Sequence, residues 1–132
     1  MGDIRVPINS DQDLVIARQE GRAIATKLGF SSVDATFIAT AISELARNIL
    51  AYARKGVITL RAIHNSSRQG ILVIASDDGP GIPDIRQALR DGFSTSGSLG
   101  LGLPGVRRLM DEFEIKSRSG HGTTVKVTKW KR

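Results

Sequence analysis

The chain has 132 residues, 40% of them apolar, which is enough to bury one core without covalent staples. It has no cysteine, which excludes a disulfide framework and thiolate metal sites and suits a reducing, cytoplasmic setting. The 19 basic and 13 acidic residues give a net charge of +6, but one Trp and one Tyr offer little surface for base stacking, so nucleic acid is not the expected partner.

No segment is long and apolar enough for a membrane span, and the opening Met-Gly is not followed by the Ser or Thr of a myristoylation signal. No membrane partner is therefore expected. No linker, repeat or low-complexity tract divides the chain, and a single domain over residues 1–132 is expected.

Residues 4–8 alternate in polarity and read as a short edge strand, because Pro7 removes a ladder donor. Ser10 with Asp13 signals a helix start, and the apolar side formed by Leu14, Ala17, Ile24, Ala25 and Leu28 runs to a stop at Gly29. Ser31 with Asp34 opens a second helix reaching about Ala53, with Ile38, Ile42, Leu45 and Ile49 as its stripe. Residues 57–64 and 70–77 read as a hairpin across a polar turn at 65–69. Residues 84–90 suggest a short helix and 91–100 a glycine- and serine-rich loop. Residues 103–112 suggest a third long helix with Leu103, Val106, Leu109, Met110 and Phe113 on one face. Residues 113–118 and 123–130 suggest a closing hairpin. This order predicts an α+β two-layer sandwich.

Three clusters carry unusual chemistry. Glu44 and Asn48 are four apart, on one helix face beside the apolar stripe. A carboxylate there can act as a base, and an amide oxygen can ligate a hard cation such as Mg²⁺; a solvated helix flank is the plainer alternative. Asp77-Asp78-Gly79-Pro80-Gly81 follows the apolar run 71–75, which reads as a central strand buried on both faces. Its carboxylate can accept from a ligand amino group, with glycines leaving room for the ligand; a tight surface turn is the alternative. Gly97 to Gly105 is rich in glycine and feeds a helix, so free N–H groups could hold phosphate. It has neither the lysine of a Walker loop nor the strand context of a dinucleotide fingerprint.

In this order, Glu44…Asn48, Asp77-x-Gly79-x-Gly81 and Gly100-x-Gly102-x-x-Gly105 resemble the three nucleotide-binding boxes of the Bergerat-fold (GHKL) ATPases. That family includes gyrase, Hsp90, sensor histidine kinases and MutL. Gly120-His121-Gly122-Thr123-Thr124 looks like its later Gly-x-Gly-Thr element. Residues 42–48, 92–97 and 105–113 are similar to the anti-sigma-type serine/threonine kinases, in particular to stressosome switch kinases.

The resemblance implies a Bergerat sandwich, with a mixed, mostly antiparallel sheet covered on one face by helices. It implies ATP and Mg²⁺ as cofactors and phosphorylation of STAS-domain scaffold or antagonist proteins. A downstream regulator, such as a PP2C-type phosphatase, would be the second partner. Some relatives dimerise through a sheet edge, but this chain is expected to be a monomer alone. Glu44 would be the catalytic base. Asn48 would ligate the metal, and Asp77, backed by Thr123, would read adenine. Gly79, Gly81 and Ile82 would border the nucleotide, and Gly100, Gly102 and Leu103 would face its phosphates. Residues 91–99 would be a short lid, and no Lys or Arg lies between 91 and 104, leaving Arg47 and Lys55 as cations that either help the terminal phosphate or are solvated. Neither His64 nor His121 lies on a dimerisation helix, so histidine autophosphorylation is not expected. The alternative is an anti-sigma factor, or an ATP-gated binding module without essential phosphotransfer.

Overall fold

The computed structural model describes residues 2–81, 102–118 and 120–132. The expected helix at 84–90, the loop and lid at 91–100, Ile82 and Gly100 lie outside the described residues. The elements run β1 (Ile4–Ile8), α1 (Asp11–Leu28), α2 (Ser32–Tyr52), β2 (Gly56–Asn65), β3 (Arg68–Asp77), α3 (Gly102–Leu109), β4 (Glu112–Arg118) and β5 (Gly122–Trp130). The strands form one sheet in the order β1-β2-β3-β5-β4, so β5 inserts between β3 and β4. All four pairings are antiparallel, and the parallel pairing that a mixed sheet needs is not among them.

The helix ends follow local chemistry. Gly29 takes the left-handed conformation at φ 90°, and its N–H and that of Phe30 donate to the Thr26 and Ala25 carbonyls. The Ser31 hydroxyl accepts from the Asp34 N–H at 3.1 Å, as an N-cap should. Ser10 sits at the N-cap of α1 without a side-chain bond of that kind. There the Asp13 carboxylate reaches back to the Asn9 N–H at 2.8 Å instead.

The core lies between the helices and one sheet face. Ile38, Ile42, Leu45 and Ile49 of α2 meet Ile58 and Leu60 of β2, Ile71 and Val73 of β3, and Val125 and Val127 of β5. Along β3 the residues alternate: Ile71, Val73 and Ala75 are buried, while Leu72, Ile74 and Ser76 are half-buried. The expectation of a strand buried on both faces is therefore corrected, because the described helices cover only one face.

Two element boundaries also differ. The hairpin turn shrinks to Ser66-Ser67, since Asn65 already pairs with Arg68. The third helix stops at Leu109 instead of running on to Glu112. The Asp111 N–H donates to the Thr128 carbonyl, and Glu112 pairs with Thr128, so the sheet captures the chain there. Phe113 reaches the core from β4, not from a helix face.

The two long helices approach closely at Gly21. A Cβ there would lie 2.1 Å from Ile42 Cδ1 but 3.6 Å from its Cγ1. Gly21→Ala should therefore cost about 1–3 kcal/mol by overpacking, despite the better helix propensity of alanine. In the Ile42→Val background, where Cδ1 is gone, the same change should instead gain up to about 1 kcal/mol. Urea unfolding followed by Trp130 fluorescence checks this, and an equal effect in both backgrounds would sink the packing account.

Candidate functional site

The last three turns of α2 carry Glu44, Arg47, Asn48 and Tyr52 toward one end of the sheet. Glu44 is only 5% exposed, so it is not a solvated flank. One carboxylate oxygen, Oε1, accepts from Arg47 Nη1 at 2.7 Å. The other, Oε2, accepts from the Gly102 backbone N–H at 3.0 Å. Glu44 thus ties α2 to the first residue of α3. Arg47, offered above as either a phosphate partner or a solvated cation, is paired with this carboxylate. Lys55 is exposed beyond the end of α2.

A cleft opens between α2 and the sheet. Asn48, Asp77, Leu103 and Thr123 line it, with Leu45, Ile49, Tyr52, Ala75 and Val125 as its apolar wall. Four of the residues expected to bind nucleotide therefore share one space, although they come from four different elements. Glu44 stands one helical turn before Asn48 and does not line the cleft. Asn48 Nδ2 is buried with no hydrogen-bond partner among the described residues. Such an orphan is uncommon in a folded chain and calls for a partner beyond the described residues, such as a ligand or water.

Asp77 ends β3 opposite Thr123. Its Oδ1 accepts from the Gly79 N–H at 3.0 Å. Burial pushes the Asp77 carboxyl above its ordinary value, and the neighbouring Asp78 charge adds to the rise. Backbone hydrogen bonds from Gly79 and Thr123 pull the other way without cancelling it. Thr123 Oγ1 lies 2.8 Å from Ser117 Oγ, which fixes the hydroxyl against the cleft wall.

Gly79 and Gly81 sit behind Asp77, where the fold itself already demands glycine. A Cβ on Gly79 would come within 2.5 Å of Ala53 Cβ, and one on Gly81 within 2.4 Å of the Arg118 carbonyl oxygen. Gly81 also takes a φ of +83°, which other residues rarely adopt. The room these glycines leave is first of all room for α2 and β4.

A family model described as histidine kinase-, DNA gyrase B- and HSP90-like ATPase matches residues 33–132. The chain belongs to that ATPase family. It is 55% identical to the serine/threonine-protein kinase RsbT of Bacillus subtilis (strain 168), over 96% of each chain. It is 34% identical to the anti-sigma F factor of Caldanaerobacter subterraneus subsp. tengcongensis, over 93% of this chain and 89% of that one. Among solved structures, the RsbU and RsbW domains of Rv1364c from Mycobacterium tuberculosis align with all of this chain and 33% of theirs. The TM-score is 0.70 at 17% identity, which supports the shared fold. The family resemblance expected from the three boxes holds.

Sequence reasoning missed several contributors to this ATPase-family site. Tyr52 is one helical turn beyond Asn48, and that spacing was available as a signal. Ser117 gave no such signal, because only the β4–β5 register brings it to Thr123. Both histidines, His64 and His121, are exposed.

The raised Asp77 pKa has a stability consequence. The folded value lies above the unfolded one, so ionisation of Asp77 costs stability once pH exceeds the folded value, and the cost is absent below the ordinary value of 3.8. Asp77→Asn should therefore raise the melting temperature of the nucleotide-free protein slightly at neutral pH. The gain should vanish as pH falls toward 3.8. Thermal melts of both proteins across pH check this, and a neutral-pH loss in the variant would refute it.

Proposed function

We propose that the protein is an ATP-dependent protein serine/threonine kinase. It phosphorylates STAS-domain scaffold or antagonist proteins of a stressosome-like complex and, once released, binds and activates a downstream regulator such as a PP2C-type phosphatase. The observation that carries this reading is the convergence of Asn48, Asp77, Leu103 and Thr123 on one cleft, with Glu44 one helical turn before Asn48 and bonded to the Gly102 N–H. The 55% identity to a serine/threonine-protein kinase supports the choice of activity within the family.

In this reading the Asp77 carboxylate accepts from the adenine amino group, and Thr123 supports that edge. The apolar wall from Leu45 to Val125 shelters the base. The N–H groups at the start of α3, Gly102 and Leu103, face the phosphates.

The site also suits Mg²⁺. Among the described residues no three His, Cys, Asp or Glu side chains cluster as a metal cage. A cation here would rest on the Asn48 amide oxygen and on oxygens brought by nucleotide and water, as Mg²⁺ commonly does. Among the described residues, Asn48 Nδ2 makes no hydrogen bond that would resist turning the amide to present its oxygen. When bound, the ion neutralises charge that builds on the phosphates.

Glu44 orients the acceptor hydroxyl and takes its proton. The hydroxyl oxygen forms the new bond to the γ-phosphorus, the bond to the bridging oxygen breaks, and ADP leaves with that electron pair. Catalysis then rests on positioning and charge.

A second reading keeps ATP binding but makes the chain an anti-sigma factor, and the 34% identity to an anti-sigma F factor is what favours it. The deciding experiment is transfer of labelled phosphate from ATP with Mg²⁺ to STAS-domain proteins of the same genome. Wild type should label one of them. Glu44→Ala should lower transfer by at least about 100-fold while still binding ATP. Asp77→Asn should weaken ATP binding by about 10-fold or more, the cost of a lost charge-assisted hydrogen bond. ATP binding without transfer, together with capture of a sigma factor, would establish the second reading instead.

A further inference from the structure

We infer that Arg47 is a positioning residue that holds the Glu44 carboxylate in its working orientation, and that it is not a phosphate ligand. The inference rests on the kinase reading above. Its basis is the way the two oxygens of Glu44 are shared between two elements.

A carboxylate buried to 5% exposure needs partners on both oxygens. Here Oε2 depends on the Gly102 N–H, which belongs to α3. Oε1 depends on Arg47, which lies three residues along the same helix as Glu44. The two partners differ in permanence. The Gly102 N–H is also one of the groups expected to face the phosphates, and a single N–H cannot serve a phosphate and Glu44 equally well. A bound nucleotide therefore competes with Glu44 for Gly102.

Arg47 faces no such competition, because it travels with Glu44 on α2. Its side chain is 38% exposed, against 7% for Glu44, so the guanidinium approaches the buried oxygen from the solvent side. In the kinase reading, an acceptor protein coming from solvent would approach on this side. With Arg47 in place, the released Oε2 is free for the acceptor hydroxyl while Oε1 stays anchored. Without Arg47, the carboxylate loses its anchor at the moment it is needed. It can then turn toward Asn48 Nδ2, one helical turn on and without a partner among the described residues. That would occupy the proposed base and the proposed cation ligand with each other.

Arg47→Ala and Arg47→Met should lower kcat for phosphotransfer by about 10- to 100-fold, the usual scale for a misplaced catalytic group. The ATP dissociation constant should stay within about threefold of wild type, since no binding interaction is removed. Arg47→Lys should recover part of the loss, keeping the charge but not the planar fork. In the Glu44→Ala background, Arg47→Ala should cost nothing further, because a residue that acts only through Glu44 has nothing left to position. The shape-matched Arg47→Met variant and circular dichroism guard against misfolding.

The outcomes separate. A large rise in the ATP dissociation constant with kcat retained would make Arg47 a phosphate ligand and overturn the inference. Transfer that requires Glu44 but is indifferent to Arg47 would overturn it while leaving the kinase reading intact. Transfer that ignores Glu44→Ala would remove the base assignment and this inference together.

Discussion

A carboxylate that folding takes out of water must find its hydrogen bonds inside the protein. Glu44 finds one on its own helix and one on the Gly102 N–H, 58 residues away in the chain. The second bond spans the gap between α2 and α3, and the geometry of the cleft depends on it. α3 has only eight residues, too few for a helix to persist alone in water. Its place is set by what holds it from outside.

The other end of α3 is held by the opposite charge. Lys129 is 6% exposed, and its ammonium donates to the Leu109 carbonyl at 2.8 Å. Asp111 lies 3.7 Å from it and Asp34 4.0 Å, while the Phe37 ring covers it at 5.4 Å. A negative group at the helix start and a positive group at its end both oppose the ends of the helix dipole. Between them Leu103 and Val106 bury in the core. Any sliding of α3 along its axis would uncover one charge or the other. The short helix is thus held at both ends, which under the proposed reading preorganises the N–H groups at its start.

Most of this architecture was legible in the sequence where one local rule decided the outcome. Gly29 ends α1 and Ser31 caps α2 because left-handed backbone and hydroxyl capping are local chemistry. The site residues were legible as three separate clusters, and their order linked them to one family. What stayed hidden was set at a distance. The end of α3 is fixed by the Asp111 and Glu112 contacts with Thr128, which no helical periodicity encodes. The run 71–75 is apolar throughout, so alternation could not show that the described helices cover only one of its faces. The pairing of Arg47 with Glu44 could be placed at i,i+3 from the sequence. That Glu44 would be buried, and so would need the pairing, followed only from the packing of α3 against α2.

Asp77 shows the same logic from the sheet side. Its backbone is fixed by pairing with Thr123, and Gly122 lies so close that a Cβ there would meet the Asp77 carbonyl oxygen at 2.0 Å. With the main chain held, the carboxyl has little choice but to meet the cleft, where burial disfavours its charge. An ionised carboxylate accepts hydrogen bonds and donates none. Under the proposed reading, an amino group in the cleft repays the cost of that charge, whereas a carbonyl in the same place would set two acceptors against each other. Burial of Asp77 therefore weakens the empty site and sharpens its choice of ligand by the same mechanism. The Asn48 Nδ2, without a partner among the described residues, and the N–H that Glu44 borrows from Gly102 follow the same pattern. Under the proposed reading, each is a polar group held in a geometry that a nucleotide would complete better than the protein does alone.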